Sequence, residues 1–407
     1  MNDRGKIKLL FVIHRLDVGG AEKSFVSLLN SLPEGQFDIT VKAQKTNGIF
    51  RQYIPDGVKV SELPADYICM AERISNVNFW RHASLRTVWL KAMCIIGCHL
   101  RGKESKSRMS HEQFYNEFWK KHMSDVKERF DVAVSYMDCT NYYVIDHVNA
   151  ARKILWCHND YNKLDYNAAY DTYYYNKADK VCTISQTCLN SLLSNFPSMT
   201  DKFDVVENIS SKKMILAQSY SLDEMRSSED GFFADERFKI LSIGRLSEQK
   251  GFDMAVDAAS ILKGRGVRFC WYILGIGFSQ KDLEEQVKRN DVSDVVKFIG
   301  VRSNPYPYMR MSDMFVMSSR YEGKSIALDE AKILCKPIVS TNYPTVGDAL
   351  TDGVNGMIVD MSAMALADGI WSLYNDERKR QRLSDNLSEE NCDNADMVVS
   401  KFLDLVK

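Results

Sequence analysis

Short apolar runs alternate with amphipathic stretches along this chain, and the alternation occurs in two successive sets. In the first half the apolar runs lie near residues 7–13, 37–43, 131–135, 153–157, 180–184 and 203–206. Each predicts a short strand, and helical patterns fill 21–32, 140–149, 160–177 and 186–195 between them. The second set begins at Phe238-Lys239-Ile240-Leu241-Ser242-Ile243 and continues with runs near 267–274, 295–299, 313–318, 337–341 and 356–359. Strands that alternate with helices predict an α/β fold, with parallel sheets covered on both faces. At 407 residues the chain exceeds one ordinary core. The expected organisation is a first domain over 1–210, a polar serine- and acid-rich segment over 211–236 that links the halves or forms an ordered surface excursion, a second domain over 237–375, and charged helices over 376–407.

Composition narrows the picture. Hydrophobic residues make up 45% and charged residues 26%, which excludes a disordered chain. The formal net charge of −1 provides no general attraction to nucleic acid or membrane, so no nucleic-acid partner is expected. Ten cysteines occur without a CxxC pair, and Cys94 and Cys98 are spaced CxxxC in an apolar stretch. They read as reduced thiols of a cytoplasmic protein, not as a disulfide scaffold or a zinc site. The apolar run Lys6–Ile13 is too short for a signal peptide or a membrane span.

One segment departs from the neutral average. Residues 73–108 carry eight basic side chains (Arg73, Arg81, Arg86, Lys91, Arg101, Lys103, Lys106 and Arg108) against one acidic one. Phe79, Trp80, Leu85, Val88, Trp89, Leu90, Ile95 and Ile96 are interleaved with them. Such a pattern suits a helix at an anionic membrane surface, or equally a helix packed on its own domain with a solvated basic rim.

Candidate chemistry collects at strand ends. Tyr321-Glu322-Gly323-Lys324-Ser325-Ile326-Ala327-Leu328-Asp329-Glu330 follows the apolar run at 313–318, with Glu322 on the loop and Glu330 in the following helix. Amides at a helix N-terminus suit phosphate, and carboxylates beside a phosphate site suit sugar hydroxyls, so the pattern points to a sugar nucleotide. Arg245 and Lys250 bracket the loop after the first strand of the second half, where an Arg can grip a diphosphate bidentately and a Lys can add a point charge. With those cations and no Asp-x-Asp triplet in the chain, a metal-independent donor site is expected. Gly19-Gly20-Ala21-Glu22 opens a helix after the first strand, without the full dinucleotide fingerprint, so a nicotinamide cofactor is not supported. His158 ends an apolar strand, where it can serve a sugar hydroxyl or a developing charge, or simply be structural. Gly275-Ile276-Gly277 and Gly300-Val301-Arg302 mark two more strand ends, as ligand contacts or as plain turns.

Taken together, these residues resemble glycosyltransferase family 4, a retaining group with the GT-B fold, of the bacterial surface-polysaccharide type. The resemblance implies two Rossmann-like domains facing across a cleft, with the nucleotide held by the second and the final helices crossing back to the first. It implies that Arg245 and Lys250 hold the diphosphate, Glu330 the ribose, and Glu322 the transferred sugar. The amides of Ser325, Ile326 and Ala327 would serve phosphate and sugar, Val301 the base, and Gly19 and Gly20 the donor from the opposite side. Gly277 and Lys324 would complete the donor site, with His158 at the reaction centre. The implied reaction moves a sugar from a nucleoside diphosphate sugar, UDP-linked by preference, to a hydroxyl of a polyprenyl-linked glycan at the inner membrane face. The chain departs from the family's pattern at Lys324, where Phe or Leu is frequent, and at Glu207-Asn208-Ile209, where Pro-Asn-Gly is common. A sugar-nucleotide epimerase, a phosphorylase or a non-catalytic binding subunit on the same fold are the alternatives.

Overall fold

The computed structural model describes residues 5–17, 19–100, 109–221, 230–390 and 392–407. The chain divides into two compact units, one running up to Asn208 and resuming at Asp396, the other spanning Ile209–Ala395. Unit 1 holds a parallel sheet of β1 (Ile7–Arg15), β2 (Phe37–Lys45), β3 (Lys59–Glu62), β4 (Val126–Ser135), β5 (Val148–Cys157), β6 (Lys180–Thr183) and β7 (Phe203–Val205). Its strand order is β3-β2-β1-β4-β5-β6-β7. Unit 2 holds β8 (Phe238–Ile243), β9 (Phe269–Leu274), β10 (Val296–Gly300), β11 (Met314–Met317), β12 (Ile338–Thr341) and β13 (Met357–Val359), in the order β10-β9-β8-β11-β12-β13. Both sheets reverse direction of growth once, between β1 and β4 and between β8 and β11. In such doubly wound sheets the loops at that reversal splay apart and leave a crevice for ligands.

The cores follow the pattern of the sequence. Leu9 to Ile13, Val132 to Val134, and Ile154 to Cys157 are buried in unit 1, and all of Phe269–Leu274 and Met314–Met317 in unit 2. Among the departures from expectation, two have a clear local cause. β3 is a half-exposed edge strand, Lys-Val-Ser-Glu, whose apolar signal is a single valine. The helix expected over 160–177 is broken: Asp160 caps a short 3-10 turn at Tyr161–Lys163, and the Asn167 side chain then caps a new helix, Ala168–Lys177.

Within 211–236 the described residues are ordered parts of unit 2. The helix Lys212–Ser219 buries Ile215, and Phe232 packs edge-on against Tyr272 and beside Tyr308. The helix Glu377–Glu389 buries Leu383 and Leu387 in unit 2. The last helix, Ala395–Val406, instead covers unit 1, where Phe402 stacks on Phe11 at 5.7 Å and the Leu405 carbonyl accepts a hydrogen bond from Arg152. Where the chain leaves and returns, Asn394 and Asp393 accept hydrogen bonds from the Ser210 and Lys212 amides, so the two crossings are tied together within unit 2.

The basic, aromatic insertion forms the helices Val77–His82 and Leu85–Leu100, followed by His111–Trp119. Arg101, Lys103, Lys106 and Arg108 lie outside the described residues. Lys91, counted among the rim cations in the sequence, is buried. Its ammonium donates to the Met70 carbonyl at 2.5 Å and sits over the Tyr115 ring, and burial lowers its pKa to about 8. No helix among the described residues is long and apolar enough to cross a membrane.

Candidate functional site

The polar groups of unit 2 gather at the β8/β11 reversal. After β8 the chain runs Gly244-Arg245-Leu246-Ser247 into a 3-10 turn, Glu248–Lys250, and then the helix Phe252–Gly264. Gly251 joins turn to helix with φ 61°, a left-handed conformation that side chains disfavour. A Cβ there would also fall 2.1 Å from the Ser318 carbonyl oxygen, so the β8 loop and the end of β11 touch backbone to backbone. Ser318 Oγ donates to the Lys250 carbonyl, the Arg320 amide to Gln249, and the Gln249 side chain to the Tyr321 carbonyl. The Arg320 guanidinium grips Asp253 through two nitrogens at 2.6 and 2.8 Å, which holds that carboxyl below its usual range.

Lys250 and Glu322 meet inside this frame. Lys250 Nζ lies 2.6 Å from Glu322 Oε1, and Ser319 Oγ donates to the same oxygen at 2.5 Å. Both bonds fall on Oε1, which leaves Oε2 for another donor. Lys250 keeps two further ammonium protons. The Glu322 carbonyl accepts from Thr345 Oγ1 in the loop after β12, so the loop is held on a third side. Arg245 stands exposed and makes no ion pair with any described residue.

The helix Ile326–Ile333 begins immediately after this loop. Ser325 caps it by accepting from the Leu328 amide. The amides of Ile326 and Ala327 are first-turn donors with no acceptor inside the helix. Glu330 is buried on this helix and accepts from the Tyr306 hydroxyl at 3.0 Å. Lys324 Nζ is 3.7 Å from Asp329 on the same first turn, so its charge is already partnered. Arg245, Lys250, Glu322, Lys324, Ser325, Ile326, Ala327 and Glu330 therefore occupy two neighbouring strand-end loops and the helix that follows.

Gly277 and Val301 stand one and two strands away, past β9 and β10. A Cβ on Gly277 would sit 2.1 Å from the Leu246 carbonyl oxygen, and the Leu246 amide donates to the Ile276 carbonyl. The close approach that Gly277 permits is thus to the Arg245 loop, which it buttresses. Val301 is half-buried, and its carbonyl accepts from the Arg302 guanidinium.

In unit 1 the corresponding edge is built differently. Gly19 is extended, and the Glu22 carboxylate folds back over the space a Cβ would need; Gly20 is exposed as the first residue of the helix Gly20–Ser31. His158, just past β5, is buried between the Tyr136 and Trp156 rings, at 5.1 and 6.4 Å. A hydrogen bond to the Tyr136 main chain favours its protonated form, but burial dominates and lowers the pKa to about 4. The imidazole is neutral at pH 7, and its Nε2 is buried without a partner. It therefore suits a hydrogen-bond acceptor better than a cation.

Two residues beside it had no signal of their own. Asp138, past β4, accepts from the His158 amide and the Asn159 side chain, and burial raises its carboxyl to about 6. Glu112, on the helix after the insertion, accepts from the Tyr166 hydroxyl at 2.6 Å; burial raises it to about 7, with Asp138 adding to the effect. Asp138 was readable only as a polar residue after an apolar run, and Glu112 follows the insertion, far from any motif. Among the described residues no three His, Cys, Asp or Glu side chains cluster as a metal-ligand group.

Comparison with known proteins agrees with this geometry. Residues 223–389 match the family model "Glycosyl transferases group 1". An alpha-D-kanosaminyltransferase of Streptomyces kanamyceticus is 30% identical over 156 residues, 37% of this chain and 40% of that protein. The lipopolysaccharide core biosynthesis glycosyltransferase LpsE of Rhizobium meliloti is 31% identical over 147 residues, 36% of this chain and 42% of the relative. The matched segments thus span less than half the length of these curated relatives. Over the whole chain, the structure of HepE from Anabaena in complex with UDP and glucose superposes with a TM-score of 0.68, at 15% identity, covering 98% of each chain. Sucrose-phosphate synthase from Thermosynechococcus elongatus gives 0.68 at 14% identity, again covering 98% of each. Most of the second unit is thus similar to the group 1 glycosyl transferases. The chain as a whole has the two-domain GT-B fold.

Proposed function

We propose that this chain is a retaining glycosyltransferase that moves a sugar from a nucleoside diphosphate sugar, UDP-linked by preference, to a hydroxyl of a polyprenyl-linked glycan in surface-polysaccharide synthesis. The observation that carries the reading is the Lys250–Glu322 pair at the β8/β11 reversal, its lysine on the same loop as Arg245, which makes no ion pair with any described residue. The pair leaves one carboxylate oxygen and two ammonium protons for a ligand, which suits a sugar hydroxyl next to a phosphate. The structural neighbour HepE has also been solved in complex with UDP-glucose, which supports the donor class.

On this reading Arg245 and Lys250 hold the diphosphate and stabilise it as it leaves. Glu322 Oε2 orients the transferred sugar, and Glu330 takes the ribose hydroxyls. The free amides of Ile326 and Ala327 face phosphate and sugar, Val301 meets the base, and Lys324 with Asp329 reads a substituent of the sugar. The bond from the anomeric carbon to the phosphate oxygen breaks as the acceptor oxygen bonds to that carbon on the same face. The acceptor proton passes to the departing phosphate oxygen. His158 accepts a hydrogen bond from a sugar hydroxyl through Nε2. The two cations supply the charge for the leaving group without a metal ion. The protein works peripherally at the inner face of a membrane, where a polyprenyl carrier presents its glycan.

The test is a donor panel of UDP-, GDP- and ADP-sugars with a polyprenyl-linked acceptor, scored for free nucleoside diphosphate and for the product anomer. Acceptor-dependent UDP release with a retained anomer is expected. Isomerised sugar nucleotide without release would identify an epimerase instead, and no turnover with any donor would point to a binding subunit.

A further inference from the structure

The insertion in unit 1 presents a face that the fold leaves uncovered. Helix Leu85–Leu100 packs one side onto its unit through Thr87, Leu90, Lys91 and Cys94, all buried. The opposite side carries Leu85, Trp89, Met93 and Ile96, at 94%, 62%, 41% and 51% exposure. Their spacing of four, four and three residues puts them on one stripe. Trp80, at 57%, and Val77, at 82%, extend the apolar surface onto the preceding helix.

This surface is ordered. Glu72 is buried at the root of the insertion and accepts from Arg15, Asn76 and Asn78 at 2.9, 2.7 and 3.1 Å. Trp80 Nε1 donates to the Ile74 carbonyl, and a Cβ on Gly97 would touch the Phe114 ring at 3.2 Å. Monomeric proteins seldom expose so many large apolar side chains together without a partner for them.

Charge and shape indicate the partner. Arg73, Arg81 and Arg86 are exposed beside the stripe, and no Asp or Glu occurs from Arg73 to Lys103. The face is therefore apolar with a cationic rim, the composition of a helix lying in the headgroup boundary of an anionic bilayer. Leu85 and Val77 stand almost fully clear of their surroundings. Acyl chains can flow around such projections, whereas a protein partner would need a matching pocket for each. Two tryptophans suit the interface, where an apolar ring and a polar N–H are both accommodated.

We propose that this stripe inserts into the acyl boundary of an anionic membrane, and that insertion, more than charge attraction, retains the protein there. Cations alone act through screened long-range attraction, which high salt removes; buried apolar area does not depend on salt in that way. This goes beyond the glycosyl-transfer reading and is tested without donor or acceptor, so either can fail while the other stands.

The experiment is flotation of the full chain with vesicles of phosphatidylglycerol and phosphatidylethanolamine at low and high salt, together with quenching of tryptophan fluorescence by brominated lipid. Native protein should bind in both salts and be quenched. Leu85→Ser/Trp89→Ser/Ile96→Ser should lower partitioning by at least about tenfold in both salts. Arg81→Gln/Arg86→Gln should lower it by about fivefold per arginine at low salt and little at high salt. Three outcomes overturn the proposal. The first is no vesicle binding by native protein. The second is binding that high salt abolishes and the serine variant retains. The third is concentration-dependent self-association that the serine variant removes, which would make the stripe a contact between copies.

Discussion

The two sheets share a strand order around their reversal points, yet their edges are finished in opposite ways. In unit 2 the loops after β8 and β11 are laced together by Gly251 against Ser318, Arg320 on Asp253, and Lys250 on Glu322. Lys250, Glu322, Arg320 and Asp253 are paired before any ligand arrives, whereas Arg245 makes no ion pair with any described residue. In unit 1 the loops after β4 and β5 bury polar atoms without partners: His158 Nε2, Asp138 Oδ1 and the outlying Glu112 Oε1. A buried polar group without a partner costs stability that a ligand can restore. One edge is thus a preorganised receptor for a ligand of fixed charge, as a diphosphate would be. The other has unmet hydrogen-bonding capacity, and with His158 neutral its Nε2 is an acceptor that matches a hydroxyl donor.

The largest effect should come from removing the central cation of the laced edge. Lys250→Ala should lower kcat by about 100- to 1000-fold, in the range of losing one electrostatic stabiliser. The substitution should also lower stability, and Glu322→Gln in the same chain should restore part of it, because it removes a carboxylate left buried without its counter-charge. Turnover near normal in Lys250→Ala would remove the lysine from the leaving-group site.

Next in size is the packing that holds the Arg245 loop. Gly277→Ala places a methyl group against backbone atoms of Leu246, which cannot move as a side-chain tip can. A loss of about 1–3 kcal/mol in denaturant unfolding is expected. If unfolding is unchanged but the donor KM rises, Gly277 contacts ligand directly.

The open edge should reveal itself through pH. The pKa of His158 is lowered on folding from near 6.5 to about 4, so below pH 6.5 the unfolded chain takes up a proton that the folded chain refuses. Its contribution to stability is present above pH 6.5 and is lost as pH falls toward 4. Asp138 and Glu112 act in the opposite sense: raised to about 6 and about 7, they cost stability as pH rises through the same window. Comparison with a variant isolates the histidine. His158→Gln should gain about 2 kcal/mol relative to native protein between pH 7 and pH 5, measured by urea unfolding. A pH-independent difference would mean that the imidazole is not held neutral by burial. The smallest expected effect is that of chelation, since EDTA should leave donor turnover unchanged within about twofold if Arg245 and Lys250 carry the leaving group.

Much of this was readable along the chain. β8, at Phe238–Ile243, and the helix Gln186–Asn195 fall where the pattern puts them, because continuous apolar runs and clean amphipathic periods leave few alternatives. β4 and β5 begin five residues earlier than their apolar runs, because Val126–Asp131 and Val148–Arg152 pair as strands while carrying polar side chains. Hydrogen bonds between neighbouring strands, not hydrophobicity, define those residues. Glu322 and Glu330 were visible as a pair, but their different surroundings were not: one is shared with a lysine and a serine, the other with the Tyr306 hydroxyl.

By itself the amino-acid sequence determined the α/β class, the doubling of the unit and the strand ends at which polar residues collect, because periodicity and local loop chemistry are written within a few residues of each other. Only the tertiary structure decided that Lys250 reaches Glu322 across 72 positions, that Lys91 turns inward while Trp89 turns out, and that His158 is buried and neutral. Those outcomes depend on which surfaces meet, and burial, pairing and desolvation act between elements that the chain keeps far apart.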